Sequence, residues 1–304
     1  MLPPHPRPVA TERLPVGDVA LAVHHWGGVG RPLLLVHGTG LHGMVWSSLA
    51  RRLVDHGLRV VSYDARGHGD SDAPETEYCW DEFASDLVGL VDQLSLVEGS
   101  GGPTVLAHSM GATTALLAEA LAPGTFDRLW LFEPIVYPQS PPPGPQTDHP
   151  MVERTRVRRR SWDRLETAFA NYAAKQPFDD FVTECLAAYV THGLRCNGDD
   201  YVLKCDPEVE ARVFAMSGAH DAYGQLPSIE CPAWVVCGEA SARRAHEWAH
   251  ATAAALPEGT LQIAPGVGHF GPFERPETVV ELVSEFLDSS ATRRLTRTAR
   301  RRMT

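Results

Sequence analysis

The stretch "VLAHSMGAT" places Ser109 after a run of apolar residues and before a small-residue segment, "MGATTALLAEAL". A serine in a tight strand-to-helix turn presents Oγ as a nucleophile, whereas a serine that only opens a helix caps it. Gly111 gives such a turn room, and Ala107 upstream adds one methyl group to it. The Met110 amide, at the helix start, can face a developing oxyanion. A second donor is available in "VHGTG", where Gly38 and Gly40 flank Thr39. Near the C-terminal end, "APGVGHF" puts His269 on a loop after a strand, where an imidazole can serve as general base. Taken alone it could equally be a surface-loop histidine. His37 reads as a structural hydrogen-bonding residue.

A histidine that accepts a serine proton needs a carboxylate to fix its tautomer and to balance the imidazolium. Glu133 closes the apolar run "RLWLFEP", and Pro134 ends the strand directly after it. A carboxylate on a buried strand requires a partner, because an unpaired buried charge is costly. His269 is the favoured partner; the alternative is that Glu133 caps a loop or pairs with an arginine. Glu239, after Gly238 in "WVVCGEASARR", is the competing acid. Ser241, two residues on, cannot supply the charge.

The elements that must position these groups alternate. "VALAVHHW", "RPLLLVHG", "LRVVSYD", "GPTVLAH", "RLWLFE", "CPAWVVCG" and "TLQIAPG" read as strands, most of them short continuous apolar runs. Between them lie helical patterns, among them one with Trp46, Leu49, Leu53 and Val54 on one face and one with Phe83, Leu87, Leu90, Val91 and Leu94 inward. The alternation predicts an α/β fold with a mostly parallel sheet covered on both faces. Residues 138–225 interrupt it with a proline-rich stretch and further helical patterns, so a helical cap over the strand ends is expected there. The core is then 1–137 and 226–288, closed by a helix with Val279, Leu282, Val283, Phe286 and Leu287 inward. The basic end, 289–304, is expected to lack regular structure. The run Arg154, Arg156, Arg158, Arg159 and Arg160 reads as a solvated helix face, with a carboxylate or phosphate clamp as the minority alternative.

Composition narrows the class. In 304 residues, 43% are hydrophobic and 21% charged, which suits a globular chain. The formal charge is −11, and the six arginines of 289–304 leave the remainder near −17, so the folded part offers no broad basic face to nucleic acid. The six cysteines show no zinc-binding spacing and read mostly as free thiols, and no signal-peptide core or spanning segment is apparent. A cytoplasmic protein without metal or organic cofactor is expected, as monomer or homodimer, acting on a small molecule.

Together, "LLLVHGTG", "YDARGHGDSD", "LAHSMGA" and "GVGHFGPFERP" resemble the α/β-hydrolase superfamily over about residues 15 to 288. The resemblance implies an eight-stranded, mostly parallel sheet, a cap after the sixth strand, Ser109 as nucleophile, His269 as base, and an oxyanion hole from the Thr39 and Met110 amides. It also implies that the Asp64 to Ser71 loop is structural. In most relatives the acid is an aspartate after the seventh strand, where this chain has Ser241. Certain haloalkane dehalogenases place it after the sixth, which Glu133 matches. The expected function is hydrolysis of a carboxylic ester through an acyl-enzyme. Alternatives are a carbon–carbon bond hydrolase, a thioesterase, a lactonase, or an inactive ligand-binding relative. Trp46, Ile135, Tyr137 and Phe270 are candidate residues of an apolar substrate pocket.

Overall fold

The structure, a computed structural model, describes residues 2–76, 78–96, 102–138 and 145–301, with side chains as far as Ser289. The chain opens with β1 (Ala10–Val16), β2 (Val19–Gly27), β3 (Pro32–Val36), α1 (Ser47–Asp55), β4 (Arg59–Tyr63), α2 (Trp80–Gln93), β5 (Thr104–His108), α3 (Met110–Leu121) and β6 (Arg128–Phe132). The intervening region holds α4 (Pro150–Arg156), β7 (Ser161–Trp162), α5 (Leu165–Ala173), α6 (Thr183–Gly193), β8 (Leu194–Asn197), β9 (Asp200–Leu203), α7 (Pro207–Ala215) and α8 (Ala222–Gln225). The core resumes with β10 (Ala233–Gly238), α9 (Arg243–Ala255), β11 (Gly259–Ala264), α10 (Gly271–Glu274) and α11 (Pro276–Arg301).

Eight strands form one sheet in the order β1-β2-β4-β3-β5-β6-β10-β11. β2 pairs antiparallel with β1 and β4, and every other pair in the sheet is parallel. Strand residues alternate between two apolar layers because successive side chains leave opposite faces. Leu34, Val105, Leu129, Leu131 and Val235 pack with Phe83, Leu87 and Leu90 of α2 on one side. Leu33, Leu35, Leu106, Trp130 and Val236 pack with Leu49 of α1 and with Val279, Val283 and Phe286 of α11 on the other. The central strands β3, β5 and β6 therefore have no wet face, which is why they read as unbroken apolar runs, whereas β11 at the sheet edge leaves Leu261 and Ile263 exposed.

Three features differ from expectation. β1, which completes the eight strands of the sheet, lies at its edge in a stretch from which no strand pattern was read. The region between β6 and β10, where a helical cap was expected, is not purely helical: β7, β9 and β8 form a small antiparallel sheet within it. Helical backbone continues through Arg301, beyond the expected end at 288. Part of the proline-rich stretch, 139–144, and the last residues, 302–304, lie outside the described residues. Among the described residues, no helix is long and apolar enough to cross a membrane, and no three His, Cys, Asp or Glu gather as a metal-binding group.

Candidate active site

The ends of β5, β6 and β10 are stepped, and the residue after a strand extends the hydrogen-bond ladder. Ser109 N–H donates to the Phe132 carbonyl at 2.9 Å, and Glu133 N–H to that of Val236 at 2.8 Å. Both residues then turn sharply, Ser109 at φ 54° and Glu133 at φ 46°. Non-glycine residues there carry strain of roughly 1–3 kcal/mol each, held by the surrounding packing. Gly111 is part of that packing: a Cβ on it would lie 2.5 Å from the His37 carbonyl oxygen. Ser109 occupies the N-cap position of α3, yet its side chain makes no capping hydrogen bond. The helix-cap reading therefore does not describe its hydroxyl. Met110 is the first residue of α3, and its N–H has no intrahelical acceptor.

His37 holds the other loop. Its Nδ1–H donates to the Gly38 carbonyl at 2.8 Å and its Nε2 accepts from Ala65 N–H at 2.9 Å, which fixes one neutral tautomer. Burial, with His68 nearby, lowers its pKa to about 3. Thr39 lies two residues further on. The Asp64 carboxylate ties the neighbouring loop to the sheet, accepting from Gly43 N–H at 2.6 Å, Asp70 N–H at 2.8 Å and His24 Nε2 at 3.1 Å.

Glu133 and His269 meet, with Oε2 at 2.7 Å from Nδ1. The other oxygen, Oε1, accepts from Gly238 N–H at 3.0 Å and from the Ser241 hydroxyl, and Cys237 Sγ lies at 3.7 Å. Burial opposes ionisation of Glu133, but His269, then Ser241 and Gly238, outweigh it and lower the carboxyl to about 2. Glu239 turns elsewhere: its Oε2 accepts from Gly266 N–H at 2.9 Å and braces the loop that leads to His269. Glu274 does the same on the far side, accepting from Gly268 N–H at 2.8 Å and Phe270 N–H at 3.1 Å.

Sequence reasoning missed two groups here. Ser241, considered only as a residue that cannot supply a charge, donates its hydroxyl to the Glu133 carboxylate. His108 donates from Nε2 to the His269 carbonyl at 2.8 Å, with the two rings 4.8 Å apart. Burial, and then His269, lower its pKa to about 3, so it is a neutral donor that fixes the backbone of the neighbouring histidine. Its place immediately before Ser109 was the available signal.

A cavity of about 400 Å³ opens between the loops at the strand ends, which contribute Thr39 and Phe270, and the region between β6 and β10, which contributes Trp162, Tyr172 and Phe178. Phe270 thus lies where a pocket residue was expected. Trp46 does not: it is fully buried and packs edge-on against Phe273 at 4.9 Å, as the helical periodicity alone implied. Ile135 and Tyr137 are outside this lining; Ile135 packs on the core and Tyr137 stands against Trp248 at 4.7 Å. The arginine run is not one solvated face either. α4 ends at Arg156, and Arg158 turns inward to Glu210 at 2.5 Å.

The chain belongs to the alpha/beta hydrolase family, whose sequence profile matches residues 33–282. It is 38% identical over 104 residues to the non-heme chloroperoxidase CPO-A1 of Kitasatospora aureofaciens, covering 34% of this chain and 35% of that one. It is 34% identical over 113 residues to the 2-(acetamidomethylene)succinate hydrolase of Mesorhizobium japonicum, covering 37% and 38%. These matches span little more than a third of either relative. The crystal structure of an E-2-(acetamidomethylene)succinate hydrolase superposes with a TM-score of 0.75 at 22% identity, over 92% of this chain and 99% of that one, which reports a shared fold.

Proposed function

We propose that the protein is a serine hydrolase that cleaves a small to medium carboxylic ester with Ser109, His269 and Glu133 as its triad. The observation that carries this reading is the 2.7 Å pair between Glu133 and His269 Nδ1, built at the strand ends beside a strained, uncapped serine. With Nδ1–H engaged by the carboxylate, Nε2 is the basic nitrogen. Ser109 attacks the substrate carbonyl as Nε2 takes its proton, and the Thr39 and Met110 amides receive the oxyanion. The imidazolium protonates the departing alcohol, and water, activated by the same nitrogen, releases the acid. Thioesters and lactones need the same groups and differ only in the leaving atom. The hydrolase named among the relatives supports hydrolysis in general and not this ester in particular.

A fluorophosphonate probe and panels of esters and vinylogous diketones test the reading. The expected result is covalent labelling of the native protein, none of Ser109→Ala, and turnover of esters. Absence of labelling in the native protein overturns an activated serine. Turnover of diketones alone overturns the ester assignment.

A further inference from the structure

The cavity above Thr39 has an unusual charge. Arg154, Arg158, Arg159 and Lys175 line it, against the single carboxylate of Glu210. That carboxylate is committed, because Arg158 holds it at 2.5 Å and also donates to Tyr172 Oη at 2.7 Å and Tyr189 Oη at 3.2 Å. Three cations remain. Arg154 and Lys175 have no ion-pair partner among the described residues. Arg159 lies over the Trp162 ring at 5.2 Å and donates only its Nε, to the Ser161 carbonyl at 2.7 Å. Its terminal nitrogens face no acceptor among the described residues. The rest of the same run is neutralised outside the cavity, Arg156 by Glu208 at 3.0 Å and Arg160 by Asp206 at 3.6 Å. Of the two lysines in the chain, Lys204 pairs with Asp70 at 2.7 Å and Lys175 is the one in the cavity. In a protein of formal charge −11, such a surplus of cations is a local property of this wall.

We propose that this cavity receives a carboxylate carried by the acyl part of the substrate, bound by Arg154, Arg159 and Lys175. The proposal rests on the hydrolase reading and names its substrate class: a half-ester of a short dicarboxylic acid. Thr39, proposed above as an oxyanion donor, and Phe270, next to His269, line one side of the cavity, and Trp162, Tyr172 and Phe178 give it an apolar wall between them and the cations. A planar guanidinium offers a carboxylate two parallel donors, and two guanidiniums with an ammonium leave few of its lone pairs unmet. The paired Arg158 is the fixed wall behind them. Its partner Glu210 packs so closely on Gly40 that a Cβ there would come within 2.4 Å of Oε1, which ties the cationic wall to the Thr39 loop.

The test compares 4-nitrophenyl hemiglutarate with 4-nitrophenyl butyrate, and measures glutarate binding to Ser109→Ala by calorimetry. The expected charged-to-neutral ratio of kcat/KM is about tenfold or more, arising in KM, and it shrinks as salt screens the contact. Arg154→Gln, Arg159→Gln and Lys175→Gln each lower that ratio several-fold, while Arg156→Gln, outside the cavity, leaves it in place. A ratio at or below one in the native protein, or a ratio that the three variants do not move, overturns the proposal. If neither ester is cleaved, the binding arm decides. Glutarate affinity that Arg154→Gln weakens keeps the carboxylate site and removes the hydrolase reading, and absence of glutarate binding overturns the site itself.

Discussion

At the scale of single residues, one carboxylate joins the ends of two strands. Glu133 projects from the end of β6, and Ser241, beyond β10, donates to it. If Glu133 is the acid, Glu133→Gln lowers kcat by about 10²- to 10⁴-fold with little change in KM, whereas Glu239→Gln, which only loosens a loop, costs less than about tenfold. Ester kinetics on the two variants distinguish them, and the opposite ranking would transfer the role to Glu239. Adding Ser241→Asp to Glu133→Gln returns a carboxylate to the same point and is expected to recover at least about tenfold. The charge also links stability to pH. A carboxyl held at about 2 in the folded protein, below its ordinary 4.5, stabilises fully above pH 4.5 and loses that contribution as pH falls towards 2. Acid unfolding of Glu133→Gln should show a smaller loss in this window; an unchanged acid limb would contradict the pairing. Ser109, Thr39 and His269 could be put forward as candidates because each sits in a short local pattern, and Glu133 because a charge closing a buried strand demands a partner. His108 and Ser241 were not, since their roles exist only once segments more than 100 residues apart converge on His269 and Glu133.

At the scale of elements, the region between β6 and β10 is braced internally by a largely buried polar group. Arg158 and Glu210 are paired where water is scarce, with two tyrosine hydroxyls completing the arginine. Glu210→Ala strands the guanidinium and is expected to cost about 3–5 kcal/mol, seen as a fall in denaturant midpoint; a loss under 1 kcal/mol would mean that the pair is dispensable. The core strands were readable because burial on both faces demands continuous apolar runs. β1 was not, for the converse reason: an edge strand with most of its side chains exposed carries no such run. The cap strands have only two to four residues, too few to display alternation. α11 outruns its apolar stripe because arginine and alanine favour helix without burial, which hydrophobic periodicity cannot register.

At the scale of the whole molecule, cap and core are joined at several separated points. Val182 N–H donates to the Phe273 carbonyl at 2.9 Å, His42 Nε2 to that of Tyr189 at 3.0 Å, and Trp80 Nε1–H to that of Met216 at 2.7 Å. Such distributed ties predict a single cooperative melting transition, checked by comparing calorimetric and van't Hoff enthalpies; a separate early transition would mean that the cap unfolds alone. The meeting of β6 and β10 at one carboxylate has a consequence for descent. If Glu133 is the acid, two addresses in the chain converge on one point, and a lineage could move its acid from one to the other through an intermediate bearing both, without passing through a form that has neither. On that reading, a motif search that insists on an aspartate after β10 would discard such chains as inactive, although the charge would only have changed the strand that carries it.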